Sequence, residues 1–265
     1  MSGFRAWTLV GGAFREGAAI PVTDRGFRYG MSVFETLAVR KGRILFLHEH
    51  LTALKIACAT AGFPAGKTEA LGTLEGLSDG LLRVYVTAGD GTPVASLGGC
   101  RTMAFFEPGE FPRPVDVLRG VRIAVSRSPT VSVLDGWKTG NYWPHVRAFA
   151  AARNDGFDEV LVLNIEGTVV SASMANVFFV FGDALCTPAG HTGARQGVIR
   201  GWIKEMTSVE ESLLSLNEIK RADECFLTNS RLGVMPVSEI EGRRLPSRNR
   251  GEALAALYRE SVLGE

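Results

Sequence analysis

The sequence predicts an α+β protein of two domains, and three observations carry that prediction. Apolar residues alternate at strand spacing in some segments and recur at helix spacing in others. These segments follow one another without regular strand–helix–strand units, which argues against a doubly wound sheet. A break at residues 107–120 (EPGEFPRPVDVLRG), with three prolines and several charges, separates two apolar-rich halves. Proline stiffens such a segment and cannot donate to a sheet. The expected layout is a small α/β N-terminal domain over 1–106, a connector over 107–120, and a larger C-terminal domain over 121–265.

Each element has its own signal. Residues 7–10, 32–39 and 44–47 read as strands separated by glycine-containing turns. Residues 48–62 read as a helix, with Leu51, Leu54, Cys58 and Ala61 along one face. Two further strands, 81–86 and 102–106, flank the loop 87–99. After the break, 122–126 is a strand and 143–155 a helix, with Pro144 suited to its first turn and Gly156 to its C-terminal cap. Residues 160–164 and 169–181 read as strands. Residues 197–206 form a helix with Ile199, Trp202, Ile203 and Met206 on one side. A strand at 225–228 and a final helix marked by Leu254, Leu257 and Tyr258 complete the reading.

Composition narrows the function classes. The chain has 265 residues, 46% hydrophobic and 22% charged, which is ordinary for a globular protein. A formal net charge of +1 gives no electrostatic case for a nucleic-acid or anionic-membrane partner. The opening MSGFRAWTLVGGAF lacks a basic segment followed by an apolar one, so no signal peptide is expected. The most apolar stretch, 177–181, is far too short to span a bilayer. Cys58, Cys100, Cys186 and Cys225 form no C-x-x-C pair. That spacing argues against a zinc site and a disulfide framework, and favours a reducing cytoplasm with Cys58 and Cys225 as core thiols.

Two segments carry chemistry. Lys138 alone is an ordinary surface lysine, but Lys138-Thr139-Gly140-Asn141-Tyr142 stands immediately before a helix start. Its amine would project from a turn beside fixed backbone. An apolar flank would lower the ammonium pKa, which a Schiff-base lysine needs because only the neutral amine attacks a carbonyl. The second segment, Gly193-Ala194-Arg195-Gln196-Gly197-Val198-Ile199-Arg200, is a glycine-containing turn opening an amphipathic helix. Free N–H groups and the helix dipole suit a phosphate there. By itself the segment reads more readily as a plain capped helix.

With these residues in view the chain resembles a known family. Asp24-Arg25-Gly26-Phe27, Tyr29-Gly30, Val33-Phe34-Glu35-Thr36, His50-Leu51 with Leu54, the Lys138 segment, Asp158-Glu159, Asn176-Val177-Phe178, Thr187-Pro188, Gly197-Val198-Ile199-Arg200, and Ala222-Asp223-Glu224 through Pro236-Val237 occur in the order seen in fold-type IV pyridoxal-phosphate (PLP) enzymes. These are the class IV aminotransferases, which include branched-chain and D-amino-acid transaminases and aminodeoxychorismate lyase. The resemblance runs from about Leu9 to Val237. It implies a two-domain D-amino-acid-aminotransferase-like fold, with Lys138 in the C-terminal domain. It implies a homodimer, a pocket between domains, and a small-molecule amine substrate. By the same resemblance, Lys138 would carry PLP and later move protons. The backbone N–H groups of Val198 and Ile199 would hold the phosphate, with Ser230 as a hydroxyl donor. Tyr142 would reach the phenolate oxygen of the pyridine ring, and Phe34 and Glu35 would line the substrate pocket.

Three positions depart from the family. Ala53 stands where an arginine normally binds the phosphate, three residues after His50 and so on the same helical face. Lys55 is rotated well away from that face. Ser171, five residues before Asn176, replaces a glutamate that pairs with the pyridine nitrogen. A serine hydroxyl can bond to that nitrogen but brings no charge, so the ring becomes a weaker electron sink. The loop from Ala88 to Ser96 holds no arginine or histidine to trap a substrate carboxylate, which counts against D-amino-acid transamination.

A transaminase leans heavily on the ring nitrogen. Aminodeoxychorismate lyase expels pyruvate as its product becomes aromatic, and that driving force tolerates a weaker sink. The apolar residue in Gly197-Val198-Ile199-Arg200, where several transaminases have threonine, also resembles the lyase. The expected activity is therefore the lyase, a step of folate biosynthesis. An amino-acid or amine transaminase is the alternative, and a weakly PLP-binding or non-catalytic homologue the second alternative.

Overall fold

The computed structural model describes residues 3–62, 64–126 and 136–265. They divide into two compact units, Met1–Phe111 with Trp137–Asn141, and Pro112–Gly136 with Tyr142–Glu265.

The first unit is an antiparallel sheet packed against one long helix. Its strands are β1 (Arg5–Val10), β2 (Ala13–Glu16), β3 (Ser32–Arg40), β4 (Arg43–Ile44), β5 (Gly80–Thr87) and β6 (Arg101–Pro108). They lie in the order β2-β1-β6-β5-β3-β4. A short helix, α1 (Arg25–Tyr29), leads into β3, and α2 (Leu47–Ala61) follows β4. Successive side chains of a strand point to opposite faces. Val33, Leu37 and Val39 of β3 therefore share a core with Leu51, Leu54 and Cys58 of α2. Burial pushes the Cys58 thiol up to about 12, as befits a core thiol. The strand expected over 44–47 is shorter than its apolar run suggests. Phe46 adopts a left-handed conformation (φ 51°), and the helix begins at Leu47.

The second unit is built on β7 (Val121–Val125), β8 (Glu159–Leu163), β9 (Val169–Ala172), β10 (Asn176–Phe181), β11 (Ala184–Pro188), β12 (Glu210–Ser212), β13 (Glu224–Asn229), β14 (Gly233–Ile240) and β15 (Arg243–Arg244). Eight run β12-β11-β10-β13-β14-β7-β8-β9, and β15 pairs with β14. Its helices are α3 (Pro114–Arg119), α4 (Trp143–Asn154), α5 (Val198–Met206), α6 (Leu216–Ile219) and α7 (Asn249–Tyr258). Ile123, Leu161, Val177, Phe179, Cys225 and Leu227 join one core.

Three expectations change here. The segment 107–120 is no bare connector, because β6 runs on to Pro108 and α3 occupies 114–119. Pro114 starts that helix, and the Asp116 carboxylate accepts the Arg113 N–H at 2.9 Å. The run 169–181 is two strands, since the Ala172 N–H bonds back to the Ala175 carbonyl at 2.8 Å. β7 and β8 pair in parallel with α4 between them in sequence, and β11 and β12 do so with α5 between them, so two strand–helix–strand units do occur. Among the described residues, no helix is long and apolar enough to cross a membrane.

Candidate active site

Each unit holds one cluster of the residues singled out above. In the first, the segment 138–140 adds itself to the free edge of β3. The Phe34 N–H donates to the Lys138 carbonyl at 2.8 Å, the Gly140 N–H donates to the Ser32 carbonyl at 3.1 Å, and Val33 bridges Thr139. This ladder places Lys138 with the first unit, whereas the sequence reading put it in the C-terminal domain. The lysine amine donates to Thr36 Oγ1 at 3.1 Å and lies 4.8 Å from the centroid of the Phe34 ring. Phe34 stacks on Tyr85 with centroids 4.9 Å apart. Burial pushes the Tyr85 phenol up.

Phe34 lies beside the amine, whereas Glu35, expected with it in the substrate pocket, does not. Adjacent strand residues face opposite ways, so Glu35 turns toward α2 and its carboxylate lies 3.0 Å from His50 Nδ1, both side chains buried. Thr36, named in the motif but given no role, takes the place beside the lysine. Ala53 is half-buried on α2, and Lys55 is engaged with Glu69 at the surface, in keeping with its rotation away from the His50 face.

Below the sheet edge, Asp24 and Arg25 are wholly buried. Asp24 caps α1, accepting from the Gly26 N–H at 2.7 Å, from Thr87 Oγ1 at 2.8 Å and from Arg101 at 2.7 Å. The Arg25 guanidinium donates to the carbonyls of Ala88 (2.5 Å), Gly89 (3.3 Å), Ala95 (3.0 Å) and Ser96 (3.4 Å). The loop 88–96, which holds no arginine of its own, is organised around Arg25 of α1, whose donors are engaged by backbone.

In the second unit, three turns are tied together. Asn176 Nδ2 donates to the Arg195 carbonyl at 2.8 Å, joining the start of β10 to the turn before α5. Asn229 Nδ2 donates to the Met174 carbonyl at 3.0 Å. Its oxygen accepts from the N–H groups of Arg231 (2.9 Å) and Leu232 (2.7 Å), which shapes the turn holding Ser230. The middle turn is anchored by buried Glu159, which accepts from the Ser173 hydroxyl and from the Val160 N–H at 2.8 Å. Burial pushes the Glu159 carboxyl up, against these hydrogen bonds.

At α5 the sequence expectation meets a specific geometry. Gly197 is the N-cap, with no side-chain cap over the first turn, so the N–H groups of Val198 and Ile199 open the helix without intrahelical partners. A Cβ on Gly197 would strike the Asn176 side-chain oxygen, so only glycine allows this approach. Arg200, fully buried, binds Gln196 within the same turn, the Pro188 carbonyl at 3.2 Å and Glu211 at 2.9 Å. Lys204 and Arg200 hold the Glu211 carboxyl down at about 2. The dipole and free N–H groups of such a helix start favour an anion there.

Ser171 lies on β9 opposite Val162, on the face where Val162 and Val170 pack with Ala194 of the glycine turn. Ser173 alone engages Glu159, and the two serines are not interchangeable. Tyr142 is the N-cap residue of α4, its ring stacked on His145 at 5.2 Å. The turns thus bring Ser230, Ser171 and the α5 start into one connected set. Asn176, Asn229 and Glu159 make those connections. Asn176 and Glu159 stood in the quoted motifs without an assigned role, and Asn229 had only its polarity at the end of an apolar strand as a signal.

Comparison with known proteins supplies context. The amino-transferase class IV family model matches residues 32–240. Aminodeoxychorismate lyase of Vibrio harveyi is 29% identical over 240 residues, covering 83% of this chain and 87% of that protein. The 4-amino-4-deoxychorismate lyase structure from Pseudomonas aeruginosa is 26% identical with a TM-score of 0.82, covering 97% of this chain and 98% of that one. A branched-chain aminotransferase from Thermoproteus uzoniensis is 25% identical with a TM-score of 0.85, covering 98% and 95%.

Proposed function

Because this chain belongs to the amino-transferase class IV family, we propose that it is a PLP-dependent 4-amino-4-deoxychorismate lyase, releasing pyruvate and 4-aminobenzoate. Each unit, taken by itself, offers a group that a phosphorylated aldehyde cofactor would need. Lys138 supplies an amine held on a sheet face, and the glycine-capped start of α5 supplies N–H groups for a phosphate. PLP, when bound, supplies an electron sink conjugated to the amine it holds.

In this reading Lys138 links the cofactor and moves the proton taken from substrate. Val198 and Ile199 hold the phosphate through backbone N–H groups, with the Ser230 hydroxyl beside its Asn229-shaped turn. Tyr142 orients the ring through its phenolate oxygen, Ser171 meets the ring nitrogen, and Phe34 walls the substrate side. The protein acts as a cytoplasmic homodimer on a small amine.

One observation carries the choice of lyase. Ser171 occupies the strand position where the family resemblance calls for a carboxylate, on the face that carries the glycine turn. An uncharged partner weakens the sink, and an elimination assisted by aromatisation is the reaction that suffers least. Ser171→Glu restores a charge-assisted bond. The expected result is a gain in side-transamination of amino acids with little change in pyruvate release. Equal gains in both activities would count against the assignment. The likeness to the Thermoproteus enzyme supports the second reading, an amino-acid transaminase.

Ala53 makes a separate prediction about affinity. A missing charge-assisted pair is worth about 1.5–3 kcal/mol, or roughly ten- to a hundredfold. Ala53→Arg should tighten PLP binding by that factor in a fluorescence titration. An unchanged Kd would show that another group already serves the phosphate. PLP binding too weak to measure in the wild type, cured by this substitution, would favour the third reading, a weakly binding homologue.

A further inference from the structure

We propose that Thr36 is a positioning residue for the Lys138 amine, an inference that rests on Lys138 being the cofactor lysine. A lysine side chain has four rotatable bonds and roams unless it is held at both ends. Here the root is fixed by the β3 ladder, through the Phe34 N–H to the Lys138 carbonyl at 2.8 Å. The tip is met by Thr36 Oγ1 at 3.1 Å and by the Phe34 ring, its centroid 4.8 Å away. Residues 34 and 36 of one strand point the same way, so ring and hydroxyl form a single receptor for the nitrogen. Stacking on Tyr85 keeps the ring from turning aside.

The hydroxyl does two things to the amine. It accepts one N–H of the neutral form, which fixes the direction of the nitrogen lone pair before it attacks a carbonyl. Together with the ring face it also favours the ammonium, since an acceptor oxygen and a π system both stabilise positive charge. At neutral pH these effects oppose each other in rate. Above the amine's own midpoint only the positional effect remains, so a pH profile separates them. Among the described residues, strand alternation places on this face Tyr85 of β5, the Arg83–Glu107 pair of β5 and β6 joined at 2.6 Å, Arg40 of β3 with Asp79 at 2.8 Å, and Arg101 of β6 with Asp24 and Asp90. They are the same in every variant below.

The test follows capture of the cofactor by full-length, cofactor-free protein in a stopped-flow spectrometer across pH. The step is condensation of the amine with the PLP aldehyde, which forms a C=N bond and releases one water. Thr36→Val keeps the shape and removes the acceptor. It should lower the high-pH plateau of the capture rate about tenfold and move the midpoint down by up to about one pH unit, the size of one hydrogen bond to a charged group. Thr36→Ser should restore both. A Val variant with the wild-type plateau and midpoint overturns the proposal. So does a Ser variant as slow as Val with an equally lowered melting temperature, which would mark the methyl as packing. If wild-type protein captures no PLP on Lys138 by borohydride trapping and peptide mapping, the cofactor reading itself falls.

Discussion

Lys138→Ala is expected to remove all catalysis and the visible absorbance that PLP takes on when joined to a lysine, while leaving the fold in place. The two outcomes separate because the backbone and the side chain of Lys138 have different work. The carbonyl of residue 138 accepts from the Phe34 N–H, and Gly140 donates to Ser32, whatever the side chain. The side chain sits at a half-exposed position, and its contacts there include the Thr36 hydroxyl and the Phe34 ring. Losing these should cost about 1 kcal/mol or less. A melting curve near wild type beside a blank visible spectrum is the expected pair. Retained absorbance, or a borohydride label on a different lysine, would remove Lys138 from the chemistry.

Arg25→Met should have the largest effect on stability. The arginine is fully buried, and its guanidinium satisfies backbone carbonyls at Ala88, Gly89, Ala95 and Ser96. Methionine fills much of the volume but offers no donor. Each buried carbonyl left without a partner costs about 1–3 kcal/mol. Water can reach the Ala95 and Ser96 groups, which are only part-buried, so roughly 3–5 kcal/mol is expected in denaturant unfolding rather than the full sum. The loop 88–96 should also become the first site of proteolytic nicking. A loss within about 0.5 kcal/mol, the range of an unremarkable surface change, would mean that Arg25 does not organise the loop.

How much of this was legible in the sequence depended on whether a local pattern or a distant neighbour set the outcome. The α5 start was legible because a glycine followed by an apolar stripe states both the N-cap and the buried face. Lys138 was legible through its motif, yet its domain was not. The hydrogen bonds that bind 138–140 to β3 span about a hundred residues, and no local periodicity encodes them. Glu35 shows the opposite case. Strand alternation alone sends it away from any group that Phe34 faces, and His50 on the buried side of α2 offered the partner. The motif resemblance placed both residues in the pocket, and the period-two rule corrects it. α3 was hidden by its prolines, which read as a linker until Pro114 is seen as the first residue of a helix. The division between β9 and β10 was hidden because Ser173-Met174-Ala175 continues an apolar run. The pull on Ser173 comes from Glu159, a buried carboxylate on the neighbouring strand.

These ties hold the scaffold independently of the positions that depart from the family resemblance. The α5 start keeps its shape through Asn176, Arg200 and Glu211, none of which depends on residue 53. The turn beside Ser171 is held by Glu159 and Ser173, so the strand keeps its register without a carboxylate at 171. Affinity and electron demand can change while the scaffold stays the same.

The measurement that bears most directly on the proposed activity is product analysis with wild-type protein. Enzyme loaded with PLP is incubated with aminodeoxychorismate, and pyruvate and 4-aminobenzoate are followed together. The lyase reading predicts that both appear in equal amounts, at a rate well above that of amino-group transfer from any amino acid to a 2-oxo acid. Efficient transamination with no pyruvate from aminodeoxychorismate would contradict it, and with it the account of why serine stands at position 171.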